Sequence, residues 1–142
     1  MIIKNEIGTR KIELIIVETE PETYPSFRIK INLTTEELKA EFNRSIWIAL
    51  SDLEKFNLKL TELDQKRIGD EKLKSMSPDE FYLRFRNIDK LGHLSVELKL
   101  KKSSFQKDYS DSIKVEFEID PTTFPKTIEK LNEFKNVCQQ RL

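Results

Sequence analysis

The fold is decided by residues 81–120, which read FYLRFRNIDKLGHLSVELKLKKSSFQKDYSDSIKVEFEID. Apolar and polar side chains alternate there in three successive runs, Phe81–Arg86, Leu94–Lys101 and Ile113–Ile119. Successive side chains on a strand point to opposite sides, so each run predicts a β-strand with one apolar face and one charged face. Three strands without an intervening crossover helix predict an antiparallel meander, because parallel strands need long crossover connections.

The first half of the chain carries the same period of two. Lys11–Val17 and Phe27–Leu33 alternate and predict a hairpin, joined by an acidic loop with two prolines over residues 18–25. Thr34 and Glu37 stand at capping-box spacing, which predicts a short helical turn over Leu38–Glu41. Asn43–Leu50 contains isoleucines and a tryptophan and predicts a third strand.

Two longer segments have helical spacing. The run SDLE beginning at Ser51 is a capping box followed by an apolar stripe, and it predicts a helix from Ser51 that Gly69 stops. A second helix is predicted near the end of the chain, with Thr122 or Thr123 as its cap and Pro125 in its first turn.

The predicted order is ββ(turn)βαβββα, with residues 72–79 as a connector between the first helix and the meander. This order defines an α+β protein in which two amphipathic helices pack on an antiparallel or mixed sheet of about six strands. Residues 1–142 contain no repeat or linker and are expected to form a single domain.

Composition excludes several classes of function. Lysine plus arginine and aspartate plus glutamate both number 25, so the formal net charge is zero, whereas nucleic-acid binders usually carry a basic excess. One cysteine rules out an intramolecular disulfide and a cysteine metal cluster. No apolar run approaches the length that spans a bilayer. We therefore expect a cytoplasmic protein without nucleic-acid or membrane partners.

Few residues could carry chemistry. His93 is the only histidine and lies in a predicted turn near Asp89, where without a positioned partner it would be a poor general base. Cys138 is expected on the apolar face of the last helix. Glu97 and its neighbours on the polar sheet face alternate with lysines, a pattern that cross-strand charge pairing explains. We predict no catalytic residue, no metal and no cofactor.

Two sets of side chains are predicted to bind a partner. The first is the acidic loop, and the second is the one place where an aromatic side chain and basic side chains share the polar face of a predicted strand. The predicted partner-binding residues are Glu18, Glu20, Glu22, Tyr82, Arg84 and Arg86.

Three segments resemble one bacterial family. They are residues 42–57 (FNRSIWIALSDLEKFN), residues 76–98 (MSPDEFYLRFRNIDKLGHLSVEL) and residues 113–134 (IKVEFEIDPTTFPKTIEKLNEF). Their order and hydrophobic pattern resemble the WapI-type immunity proteins of polymorphic-toxin systems. The resemblance implies a small cytoplasmic antidote that binds a cognate toxin domain and needs no active site.

Two classes of function remain open from the sequence. One is a non-enzymatic binding protein of the immunity type. The other is a small enzyme or ligand-binding domain that uses carboxylates on the sheet, such as Glu97, Glu116 and Glu118. Convergent acids with raised pKa values in a pocket would favour the second class.

Overall fold

A computed structural model describes residues 1–103 and 110–140. In those residues the chain forms eight β-strands and two α-helices. In chain order they are β1 (Ile2–Lys4), β2 (Lys11–Glu20), β3 (Ser26–Thr34), β4 (Lys39–Ala49), α1 (Leu50–Lys66), β5 (Asp70–Lys74), β6 (Phe81–Asn87), β7 (Leu94–Ser103), β8 (Ser110–Ile119) and α2 (Phe124–Gln140).

The strands form two antiparallel sheets of four, in the orders β1-β2-β3-β4 and β5-β6-β7-β8. Each strand pairs with its neighbour in the chain, so both sheets are meanders, and α1 connects the N-terminal sheet to the C-terminal sheet. The predicted α+β class and the order of elements are confirmed. The structure adds β1 and β5 to the predicted strands and divides them between two sheets.

The two sheets and both helices share one apolar core. Phe85 of β6 lies at its centre, with its ring centroid 6.1 Å from that of Phe56 on α1 and 5.3 Å from that of Phe124 at the start of α2. Further along α2, Phe134 meets Phe27 of β3 edge to face at 6.2 Å. Helix α2 therefore contacts both sheets, and aromatic pairs of this kind add to the stabilisation from burial.

The predicted capping of α1 is wrong. The helix begins at Leu50, and its N-cap is Ala49, which makes no side-chain capping bond. Pairing between β3 and β4 continues to Ala49, so the chain passes directly from strand to helix. The backbone N–H of Leu50 donates to the carbonyl of Pro25, so a partner from the β2–β3 turn replaces a side-chain cap. At the other end Arg67 takes the left-handed conformation and stops the helix before Gly69.

The predicted helical turn over residues 38–41 is also wrong, because β4 begins at Lys39 and pairs with β3. Residues 35–38 form a tight hairpin turn in which the N–H of Thr35 bonds to the Leu38 carbonyl at 2.8 Å. The Thr35 hydroxyl accepts the Leu38 N–H at 3.1 Å. A threonine hydroxyl can stabilise either a turn or the start of a helix. Here the pairing of β3 with β4 favours the turn.

Three other segments refine the prediction. Residues 70–74, expected in or beside a connector, are the edge strand β5 and pair with β6. Asp120 caps the 3-10 turn Pro121–Thr123 that leads into α2, and its carboxylate accepts the Thr122 N–H at 2.9 Å. The predicted threonine cap of α2 itself stays a prediction. Pro125 is the second residue of α2, as expected. Strands β7 and β8 extend the predicted runs Leu94–Lys101 and Ile113–Ile119 to Ser103 and Ser110, and residues 104–109 lie outside the described residues.

Candidate partner-binding surfaces

The outer side of the C-terminal sheet is a continuous charged surface, which we call the charged sheet face. Strand register places Arg84, Glu97 and Glu116 in one row across three strands and Tyr82, Lys99 and Lys114 in the next. Within the described strands this face holds seven basic and four acidic side chains, so that part of it is net positive. They are Lys72, Lys74, Arg84, Arg86, Lys99, Lys101 and Lys114, and Asp70, Glu97, Glu116 and Glu118.

Glu97 is buried at the centre of the charged sheet face, with only 2% of its surface exposed. The Tyr82 hydroxyl donates a hydrogen bond to it, Arg84 Nη1 lies 3.8 Å away and Lys114 Nζ lies 3.9 Å away. Long side chains on the neighbouring strands can cover a central residue with their methylene stems while their charged ends stay at the surface. The hydroxyl and the basic partners of Glu97 offset the free-energy cost of burying its carboxylate. Loss of those partners would leave that cost uncompensated.

Tyr82 is held in place from two sides. Burial, together with its hydrogen bond to Glu97, raises the pKa of Tyr82 to about 12, so the phenol keeps its proton at neutral pH. Lys72 Nζ lies 4.6 Å from the centre of the ring, over its face. The ring face that a nucleic-acid base would need for stacking is therefore partly occupied.

The two predicted arginines are also paired within the sheet. Arg84 binds Asp70 through two guanidinium nitrogens, with Nε 2.7 Å from Oδ1, and this contact holds the pKa of Asp70 below its ordinary value. Arg86 Nη2 donates to Glu116 Oε1 at 2.7 Å and lowers the pKa of Glu116. Tyr82, Arg84 and Arg86 thus lie together on one face, as predicted, and each is oriented by a carboxylate.

The acidic set lies on the other sheet. Glu18 belongs to β2 and pairs with Arg28 of β3 at 3.0 Å, so it is not in the loop. Glu20 Oε1 accepts the backbone N–H groups of Glu22 at 3.0 Å and Thr23 at 3.4 Å, which orders the turn. Glu22 is exposed at the tip. The structure therefore does not join the two predicted sets into one site.

A cleft of about 530 Å³ lies between the β1–β2 turn and β8. Arg10 crosses it, donating from Nη1 to the backbone carbonyl of Glu116 at 3.2 Å while its Nε pairs with Glu36 at 3.0 Å. Arg10 links the two sheets and was not predicted, because its partner is distant in the sequence and no local period marks the contact.

His93 lines the same cleft and has a partner, contrary to the expectation from the sequence. Its Nδ1 lies 2.5 Å from Asp89 Oδ2, and its Nε2 lies 4.0 Å from Glu118 Oε1. The Asp89 hydrogen bond is the main cause of a raised His93 pKa, and the same contact lowers the pKa of Asp89. Among the described residues that line the cleft, no serine, threonine, cysteine or lysine stands ready for His93 to activate.

The single histidine permits a direct test of this pair. An NMR titration should give His93 a pKa above the ordinary value of 6.5, and Asp89→Asn should return it toward that value. The raised pKa stabilises the fold below pH 6.5, and this contribution is lost as pH rises through the folded-state value. The lowered pKa of Asp89 stabilises the fold above pH 3.8, the ordinary pKa of an aspartate. This contribution to stability is lost as pH falls through the folded-state pKa. A wild-type pKa at or below 6.5 would contradict the pairing.

The chain is a small α+β protein with two charged surfaces, and ion pairs within the protein order the charged sheet face. No group of metal-ligating side chains was found in the described residues, and neither described helix is long and apolar enough to cross a membrane. The model of the WapI-like immunity protein family matches residues 1–135, so the chain belongs to that family. The family implies toxin neutralisation through binding of a cognate toxin, and its members are typically non-enzymatic. No curated protein and no solved structure matches the chain.

Proposed function

We propose that this protein neutralises one cognate toxin domain in the bacterial cytoplasm by binding it stoichiometrically, without turnover. The observation that carries the proposal is the family match over residues 1–135. Net neutrality adds a physical constraint, because long-range steering of a partner should be weak. Affinity must then come from local complementarity and buried anchors.

The two charged surfaces suit partners of opposite sign. The acidic set of Glu18, Glu20 and Glu22 is the proposed contact for a basic toxin, such as a nuclease whose phosphate-binding groove accepts carboxylates. The set of Tyr82, Arg84 and Arg86 is the proposed contact for an acidic patch. These arginines already pair with Asp70 and Glu116. A toxin carboxylate would therefore have to bind the arginines alongside these partners or displace the partners.

A carboxylate-based enzyme is less well supported. Its signature would be convergent acids with raised pKa values, yet the pKa of Glu116 is lowered by Arg86. On the same face Glu97 accepts from Tyr82 and faces Arg84. These carboxylates act as partners for basic side chains.

Titration of the cognate toxin domain with this protein tests the mechanism. Protection from the toxin should saturate near one equivalent of this protein, because each molecule occupies one toxin surface. The measurement is residual toxin activity against added protein, with mass spectrometry of the toxin before and after. Protection by strongly substoichiometric amounts of this protein, with the toxin or its product chemically altered, would show enzymatic turnover and contradict the proposal.

The acidic contact has its own test. If the toxin surface is basic, replacing Glu18, Glu20 and Glu22 by lysine should weaken binding by roughly 30-fold or more, since like charges then face each other. The matched control reverses three exposed glutamates on the helices, Glu62, Glu129 and Glu133, and changes the net charge by the same amount. Equal effects of both triple variants would show a dependence on net charge alone and would remove the acidic turn from the interface.

A further inference from the structure

Three large apolar side chains lie exposed on two neighbouring turns, and we call this group the apolar tip. Leu91 is 83% exposed and Ile88 is 50% exposed on the β6–β7 turn, while Ile68 is 77% exposed on the turn between α1 and β5. Turns are normally polar, because glycine, asparagine, aspartate and serine favour the backbone conformations and hydrogen bonds of turns. Scattered exposed apolar residues need no explanation, but a group at one end of a protein does.

The two turns are physically joined. The backbone N–H of Asn87 donates to the carbonyl of Gly69 at 3.0 Å, which ties the end of β6 to the turn that carries Ile68. Gly92 lies against the methylene stem of Arg67, since a Cβ built on Gly92 would stand 3.7 Å from Arg67 Cγ. Gly92 also has a φ of 85°, a conformation that suits glycine. The two turns therefore present one surface.

This surface is ordered by hydrogen bonds within its own turn. Asp89 Oδ1 accepts the backbone N–H of Leu91 at 2.8 Å and that of His93 at 3.3 Å, while Asp89 Oδ2 binds the His93 ring. The N–H of Ile88 donates to the carbonyl of His93 at 2.8 Å. A turn that is ordered before binding loses less conformational entropy when a partner arrives. The pair of Asp89 and His93 thus positions Leu91 without touching a partner.

Two ion pairs lie beside the apolar tip, while Lys90 of the β6–β7 turn is exposed and belongs to neither of them. Asp64 pairs with Arg67 at 3.3 Å, and Asp89 pairs with His93. A rim of paired charges around exposed apolar side chains fits an apolar pocket on a protein with a polar rim, which is the arrangement of interface hot spots. It suits a phosphate backbone or an anionic membrane poorly, because those require a clear basic excess.

We propose that the apolar tip is the anchor by which this protein docks on its cognate toxin, with Leu91 inserted into an apolar pocket of the toxin domain. The inference rests on the proposed function and names its contact surface. Leu91 supplies the central apolar contact, Ile88 and Ile68 flank it, and the Asp89–His93 pair keeps the turn in the binding conformation.

Replacing Leu91 by lysine tests the anchor, with Leu58→Lys as the matched control. Leu58 is 69% exposed on α1 and receives the same substitution away from the tip. Binding to a catalytically inactivated toxin domain, measured by calorimetry, should weaken by roughly 30-fold or more for Leu91→Lys and by less than about threefold for Leu58→Lys. Leu91→Met should keep wild-type affinity, because it keeps apolar volume. Unchanged melting temperatures would show that each variant folds.

Each other result speaks against the apolar tip in a distinguishable way. If wild type and Leu91→Lys bind the toxin equally well, the tip is not the anchor, and stoichiometric neutralisation still stands. If wild type binds no toxin, the proposed function fails, and this inference fails with it. If sedimentation shows a wild-type dimer that Leu91→Lys converts to monomer while toxin affinity is unchanged, a second copy of this chain occupies the tip, and the toxin does not.

Discussion

Replacing Phe85 by alanine should lower the free energy of unfolding by about 3–5 kcal/mol, the largest effect we expect from one substitution. Phe85 is fully buried in β6 and contacts an aromatic ring from each helix, Phe56 of α1 and Phe124 of α2. Truncation therefore removes apolar burial and two ring contacts, and it leaves a cavity where the C-terminal sheet meets both helices. Urea unfolding followed by circular dichroism measures the loss.

The control for Phe85 is Tyr24→Ala. Tyr24 is an exposed aromatic at the β2–β3 turn, so its truncation should change stability by no more than about 0.5 kcal/mol. If Phe85→Ala lost less than about 1 kcal/mol, the aromatic junction between sheet and helices would not hold the core together. Comparison of the two variants separates loss of a buried ring from loss of any ring.

Leu98→Ala should lower the free energy of unfolding by about 2–5 kcal/mol. Leu98 has no exposed surface, and the register places it between Leu83 of β6 and Val115 of β8 at the centre of the predicted meander. Its side chain lies in the apolar core, so truncation removes apolar burial and leaves an apolar cavity. Denaturant melts give the value, and Leu58→Ala on the exposed side of α1 is the control. A loss below about 0.5 kcal/mol would mean that the assigned inward face of β7 is wrong.

We expect the charged sheet face and the apolar tip to contribute differently to toxin binding. The charged sheet face is ordered by pairs such as Arg84 with Asp70 and Arg86 with Glu116. The apolar tip is ordered by Asp89. Apolar anchors supply most of the affinity in typical interfaces, and charged rims supply register and discrimination between partners. We therefore expect Leu91 variants to change affinity and sheet-face variants to change which toxin is recognised.

The alternation of side chains correctly predicted the first hairpin and the meander. Burial of one sheet face leaves a period of two in the sequence. That period says which way Leu98 and Lys99 point and needs no information about the rest of the molecule. Local capping signals were less reliable. The Ser51 capping box predicted a side-chain cap, yet the partner of Leu50 is the carbonyl of Pro25, which comes from a different turn.

The sequence by itself determined the α+β class, the order of elements and the inward face of each strand of the meander. Only the tertiary structure decided the division into two sheets, the link from Arg10 to Glu116 and the closeness of the two turns that carry Ile68 and Leu91. It also decided that Glu97 is buried while Lys99 on the same face is not. Burial of Glu97 depends on which side chains the register places around it, and the Arg10 contact joins residues 106 positions apart. Periodicity is a property of one element, whereas these contacts depend on how separate elements come together.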